Sequence, residues 1–140
     1  MFDRVAFVGF GLIGSSLARI MIRDGLAGHI SVTARTQATL DTVTRLELAD
    51  SVTLDATEAV RDADLIMICT PLGAYGAVAK EIGPHLKDGA IVSDVGSAKR
   101  IVSREIVPHM PDGVHVVPGH PVAGTENSGP EAGFAELFMG

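Results

Sequence analysis

Residues 4–17 read RVAFVGFGLIGSSL. A short apolar run, rich in valine, ends at Gly9, and the pattern behind it turns helical. Ile13, Leu17, Ile20 and Met21 recur at helical spacing over 12–23, and Gly25 is placed to end the helix. Between strand and helix, residues 9–14 form G-x-G-x-x-G. Such a pattern is weak alone and gains meaning from its position directly after a strand and at the start of a helix. Gly9 permits the tight turn, Gly11 lets a pyrophosphate approach the backbone, and Gly14 lets the helix pack close to the strand. Free N–H groups and the positive end of the helix dipole then face the phosphates.

The rest of the chain repeats the alternation. Strands are expected at 29–34, 52–54, 64–69, 90–94 and 115–117. Helical patterns fall at 37–46, 57–61, 75–86, 99–107 and 130–138, the third weakened by Gly76 and Gly83. This predicts an α/β fold of the Rossmann type, doubly wound, with a mostly parallel sheet and helices on both faces. In such sheets ligands bind beyond the carboxyl ends of the strands. Gly9, Ala34-Arg35, Cys69-Thr70, Asp94 and Pro118-Gly119-His120 collect at those ends.

Composition narrows the class. At 140 residues and 46% hydrophobic, the chain suits one domain with a packed core. Eleven basic against 17 acidic side chains give a net charge of −6, which argues against nucleic acid or an acidic membrane as partner. No apolar run approaches the roughly 20 residues that span a bilayer. The N-terminus lacks the layout of a signal peptide. The single cysteine, Cys69, excludes an internal disulfide framework and fits a reducing cytoplasm.

The strand ends hold the candidate chemistry. An NAD-selective domain usually carries a carboxylate after the second strand, for the ribose 2′-hydroxyl. Here that place reads Ala34-Arg35-Thr36. Arg35 can pair with a 2′-phosphate and Thr36 can donate to it, which favours NADP over NAD; the alternative is that Arg35 packs over adenine or stands in solvent. Thr70-Pro71 would lie beside the nicotinamide ribose. Cys69 reads as a small core residue rather than a nucleophile. In Asp94-Val95-Gly96-Ser97-Ala98-Lys99, Ser97 can cap the following helix and can also contact a substrate alcohol or the nicotinamide. His120 follows the last strand, at the edge where the glycine loop lies, and an imidazole there suits proton transfer near neutral pH. His115, five residues earlier, would point to the opposite face, and no residue cluster has metal-ligand spacing. Glu126 is either a solvated loop carboxylate or a group at the pocket entrance.

Four segments together, VGFGLIGSS from Val8, DVGSAK from Asp94, HPVAGTENSG from His120 and GFAELF near the end, resemble the nucleotide-binding half of the prephenate/arogenate (cyclohexadienyl) dehydrogenase family of tyrosine biosynthesis. The resemblance extends over essentially all 140 residues. It implies oxidation of a ring alcohol with NAD or NADP, with loss of the ring carboxylate as CO2 and no metal. His120 would accept the proton of the ring hydroxyl, Ser97 would orient that hydroxyl and the nicotinamide, and Glu126 would lie at the pocket mouth. Gly9, Gly11, Leu12, Ile13 and Gly14 would hold the pyrophosphate. The expected cofactor-binding set is completed by Arg35, Thr36, Cys69, Thr70, Pro71, Asp94 and Ser97.

Two features depart from the family pattern. Ala98 stands where a larger apolar residue is usual. The family also continues into a helical domain that forms a homodimer and supplies an arginine for the substrate carboxylates. Residues 1–140 are accordingly read as a dinucleotide-binding domain, expected to bind cofactor with little or no turnover alone. Rival readings are another NAD(P)-dependent β-hydroxyacid or imine reductase, and a dinucleotide-sensing module without chemistry. The first explains the glycine loop but not the DVGSAK and HPVAGTE pair, and His120→Asn separates the second, which would lose nothing, from an enzyme.

Overall fold

A computed structural model describes residues 2–96 and 99–119, Lys99 as backbone only. Among the described residues, six strands form one parallel sheet: β1 (Phe2–Val8), β2 (Ala27–Thr33), β3 (Ser51–Thr53), β4 (Leu65–Ile68), β5 (Ile91–Asp94) and β6 (His115–Val116). Their order is β3-β2-β1-β4-β5-β6. The chain therefore winds outward from β1 to β3, then crosses back to β4 on the other side of β1. That reversal opens a crevice at the carboxyl ends of β1 and β4.

The helices are α1 (Leu12–Asp24), α2 (Gln37–Arg45), α3 (Ala56–Ala59), α4 (Tyr75–Ile82) and the short α5 (Lys99–Ile101). Strand alternation sorts the core onto two faces. Val5, Phe7, Leu65 and Met67 point to one side, where Leu17, Met21, Leu40 and Val43 of α1 and α2 cover them. Ala6, Val8, Ile66, Ile68 and Val92 point to the other, against Tyr75, Ala79 and Ile82 of α4 and Val102 and Ile106 beyond α5. Both faces of the central strands are thus apolar, as a covered parallel sheet requires. Burying each such side chain contributes about 1.5–3 kcal/mol.

Boundaries differ from the sequence reading in places. The helix expected over 75–86 ends at Ile82 and tightens into a 3₁₀ turn, Gly83–His85, because Pro84 removes a backbone donor. The one expected over 99–107 is α-helical only to Ile101, then π-helical over Val102–Ile106 and 3₁₀ over Val107–His109. β2 begins at Ala27, two residues early, because its register against β1 extends to the Phe2–Ala27 pair. The expected helix at 130–138 lies outside the described residues. Among those described, no helix is long and apolar enough to cross a membrane.

Candidate functional site

The glycine loop is fixed from below and open above. The Gly9 N–H donates to the Thr33 carbonyl at 2.9 Å, tying the loop to β2. Phe10 meets Phe7 edge-on, with ring centroids 5.6 Å apart at 87°. That pair anchors the loop to the core and adds about 0.5–1.5 kcal/mol beyond its buried area. Gly9 sits at φ +84°, and a Cβ there would lie 2.9 Å from Thr70 Cγ2 and 3.1 Å from the Thr70 nitrogen. Gly14 packs close to Phe10 and to the Cys69 sulfur. Gly11 differs: a Cβ on it would meet nothing within 4 Å among the described residues.

Gly11 is the N-cap of α1, with no side-chain cap and no acidic residue in the first turn. The first intrahelical bond runs from Ser15 N–H to the Gly11 carbonyl, 2.9 Å. The N–H groups of Leu12, Ile13 and Gly14 precede it and have no intrahelical acceptor. Leu12 is 84% exposed, an apolar side chain held in the open at the start of a helix.

A cleft of about 700 Å³ runs across these strand ends. Its walls include Gly9, Gly11, Leu12, Ile13 and Gly14 from the loop, and Arg35 and Thr36 after β2. Cys69, Thr70 and Pro71 follow β4, and Val95 and Gly96 follow β5. A second lobe of about 600 Å³ shares Gly9, Arg35, Thr70 and Pro71, and continues over Leu54, Ala56, Ala74 and Val78. The cleft thus gathers residues more than 80 positions apart in sequence, from Gly9 to Gly96.

Individual side chains differ in what they have left to offer. Thr70 Oγ1 is buried and has no hydrogen-bond partner among the described residues, a costly state unless another group completes it. Arg35 is exposed on the wall, with no ion pair among the described residues. Thr36 is the N-cap of α2: its Oγ1 accepts from the Thr39 N–H at 3.2 Å and lies 3.0 Å from Thr39 Oγ1. Its hydroxyl is therefore already engaged in ending a helix, although its position faces the cleft. Burial, reinforced by the charge of Asp94, pushes the Cys69 thiol up to about 12. A thiol so placed stays protonated near neutral pH, which leaves it a wall residue and no nucleophile.

Asp94 takes a different place from the one its strand-end position suggests. It is 1% exposed and is not on the cleft wall. Its Oδ2 accepts from the Tyr75 hydroxyl at 2.8 Å and the Gly96 N–H at 2.9 Å, and its Oδ1 from the Gly119 N–H at 2.9 Å. The carboxylate is thus engaged beneath the wall by three donors of the described residues. Tyr75, which the sequence reading passed over, lines the cleft while donating inward; burial and then Asp94 raise its phenol above the ordinary range. Its only sequence signal is its status as the one tyrosine, a turn after Pro71. Ser97, His120 and Glu126 lie outside the described residues. Gly119, the residue before His120, is buried against β5.

A parallel sheet in this order, with an uncapped helix over a glycine loop at its reversal point, defines a nucleotide-binding domain of the Rossmann class. A family model for the prephenate dehydrogenase nucleotide-binding domain matches residues 17–140, and the chain belongs to that family. The cyclohexadienyl dehydrogenase of Zymomonas mobilis is 43% identical over 140 residues, 99% of this chain and 47% of that protein. The prephenate dehydrogenase of Lactococcus lactis is 28% identical over 137 residues, 96% of this chain and 38% of that protein. Among solved structures, prephenate dehydrogenase from A. aeolicus in complex with hydroxyphenyl propionate and NAD+ has a TM-score of 0.77 at 27% identity, covering 91% of this chain and 44% of that one. Synechocystis arogenate dehydrogenase has a TM-score of 0.76 at 31% identity, covering 87% and 42%. The chain spans less than half the length of these relatives.

Proposed function

We propose that residues 1–140 are the dinucleotide-binding domain of a dehydrogenase that oxidises prephenate and/or arogenate with loss of CO2. The observation that carries this reading is a polar cradle with no internal use. Among the described residues, the N–H end of α1 is uncapped, open space lies above Gly11, and Thr70 Oγ1 is buried without a partner beside Gly9. A nicotinamide dinucleotide fits this donor set. The N–H groups of Leu12, Ile13 and Gly14 suit pyrophosphate oxygens, and the Thr70 hydroxyl completes its hydrogen bonding on the ligand. The two lobes, about 700 and 600 Å³, offer room on either side of the glycine loop for the two halves of such a molecule.

NADP is favoured over NAD. No carboxylate follows β2 to receive a 2′-hydroxyl, and Arg35 stands exposed at the wall, unpaired among the described residues. When bound, the dinucleotide supplies the hydride acceptor. His120 accepts the proton of the ring hydroxyl, Ser97 orients that hydroxyl, and Glu126 stands at the pocket mouth. Loss of CO2 leaves an aromatic ring, which makes the step effectively irreversible. The family membership and the likeness to dehydrogenases of known structure support this assignment. The same reading has the whole protein acting in the cytoplasm as a homodimer on a small molecule, without nucleic-acid or membrane partners; the net charge of −6 supports the last point.

The test is reduction of dinucleotide with prephenate and with arogenate, on the chain alone and in the longest natural polypeptide that contains it. Turnover in the longer protein, lost in His120→Asn at unchanged dinucleotide affinity, is expected. Turnover of a β-hydroxyacid with neither cyclohexadiene accepted would overturn the reading.

A further inference from the structure

Among the described residues, Asp94 is a buried carboxylate with no cation beside it, and three donors reach it from three separate places. Tyr75 opens α4, Gly96 follows β5, and Gly119 follows β6. A carboxylate in such surroundings is costly unless fully hydrogen-bonded, and charge-assisted bonds of this kind are the stronger ones. The packing around it has no slack. A Cβ on Gly96 would lie 2.6 Å from the Tyr75 hydroxyl, 2.7 Å from Leu72 Cδ2 and 3.0 Å from Asp94 Oδ2. A Cβ on Gly119 would collide with the Asp94 carbonyl oxygen. Two glycines and a tyrosine are thus drawn onto one side chain.

We infer that Asp94 is a positioning residue, whose carboxylate sets the spacing of the two loops that leave β5 and β6 at the cleft. It touches neither cofactor nor substrate. In sequence, the next residues along those loops are Ser97 and His120, so the inference rests on the proposed function for its consequence in catalysis. The tethers themselves do not depend on that reading. Misplacing a reacting group by about 1 Å costs on the order of 100-fold in rate, so loosening the tethers should appear in kcat before binding.

The experiment uses Asp94→Asn, which keeps shape but puts an amide N–H₂ against at least one existing donor, and Tyr75→Phe, which removes one donor and leaves both backbone tethers. Amide NMR of the chain should show the Gly96 and Gly119 N–H protons shifted downfield and slow to exchange. Asp94→Asn should abolish this at one or both glycines, and Tyr75→Phe should preserve it. In the longer protein, well below its melting temperature, Asp94→Asn should lower kcat by about tenfold or more with dinucleotide Kd within about threefold. A purely structural role would lower the melting temperature and leave kcat of the folded enzyme unchanged; kcat within twofold overturns the inference. If Asp94→Asn does not fold, Tyr75→Phe decides: it keeps both N–H bonds but frees the carboxylate that carries them from α4, so a threefold to tenfold fall in kcat supports the inference, and an unchanged kcat overturns it. If the parent turns over neither cyclohexadiene, the functional reading fails, and fast-exchanging Gly96 and Gly119 amides would then sink the tethers on their own.

Discussion

Gly9 and Gly11 are glycine for different reasons, and alanine at each separates folding from binding. Gly9 has φ +84°, where an L side chain is strained, at about 1–2 kcal/mol. Its new methyl would also press on Thr70 and on the Cys69–Thr70 backbone at 2.9–3.1 Å, overpacking worth about 1–3 kcal/mol. Gly9→Ala should therefore destabilise the fold by roughly 2–4 kcal/mol, allowing for partial relaxation. Gly11 has φ −106° and extended geometry, and open space awaits its Cβ. Alanine is a poorer N-cap than glycine, so Gly11→Ala should cost about 1 kcal/mol or less. That methyl nevertheless projects where a pyrophosphate must approach the backbone, so dinucleotide affinity should fall about tenfold or more, close to 1.4 kcal/mol. Urea midpoints at constant m measure the first quantity and calorimetric titration the second. The reasoning is refuted if Gly11→Ala destabilises as much as Gly9→Ala, or leaves dinucleotide Kd unchanged.

Arg35→Ala should weaken NADP binding by about tenfold while NAD changes by less than about threefold, since only the 2′-phosphate needs the cation; equal losses would make Arg35 an adenine platform. Thr70→Val should leave stability unchanged or slightly higher, because it removes a buried hydroxyl with no partner among the described residues, and should lower dinucleotide affinity by about fivefold. A loss of stability with unchanged affinity would mean that this hydroxyl serves the fold. Cys69 should resist iodoacetamide at pH 8 in the folded chain and react on unfolding. Because its folded pKa is raised from 9.0 to about 12, the stability it contributes is full below pH 9 and is lost as pH rises toward 12. Alkylation of folded Cys69 at pH 8 at the rate of a free thiol would contradict this.

Much of the architecture is legible because it rests on local signals. The apolar runs of β1 and β4 and the glycine loop between β1 and α1 announce both the parallel sheet and its phosphate end. Boundaries are less legible where tertiary contact decides them. β2 starts before the expected 29–34 because its register with β1 reaches the Phe2–Ala27 pair, and a Cβ on Gly28 would lie 2.9 Å from the Asp3 carbonyl oxygen of β1. The strand expected at 64–69 is β4 over Leu65–Ile68, with the Asp64 carboxylate at its start held by the Arg4 N–H and Lys87. At the site, residues adjacent to a strand end could be named from sequence, and the cleft gathers Gly9, Gly11, Leu12, Ile13, Gly14, Arg35, Thr36, Cys69, Thr70 and Pro71. Asp94 could be named but not assigned, since its partners Tyr75 and Gly119 lie 19 and 25 residues away. The second lobe, with Leu54, Ala74 and Val78, carries no sequence signal because ordinary apolar residues build it.

Titration calorimetry of the 140-residue chain with NADP and with NAD, side by side, tests most directly that this fold holds a dinucleotide across the glycine loop. Saturable one-to-one binding of both, tighter for NADP and weakened by Gly11→Ala, is the predicted result. Binding of neither to a folded chain would contradict the account.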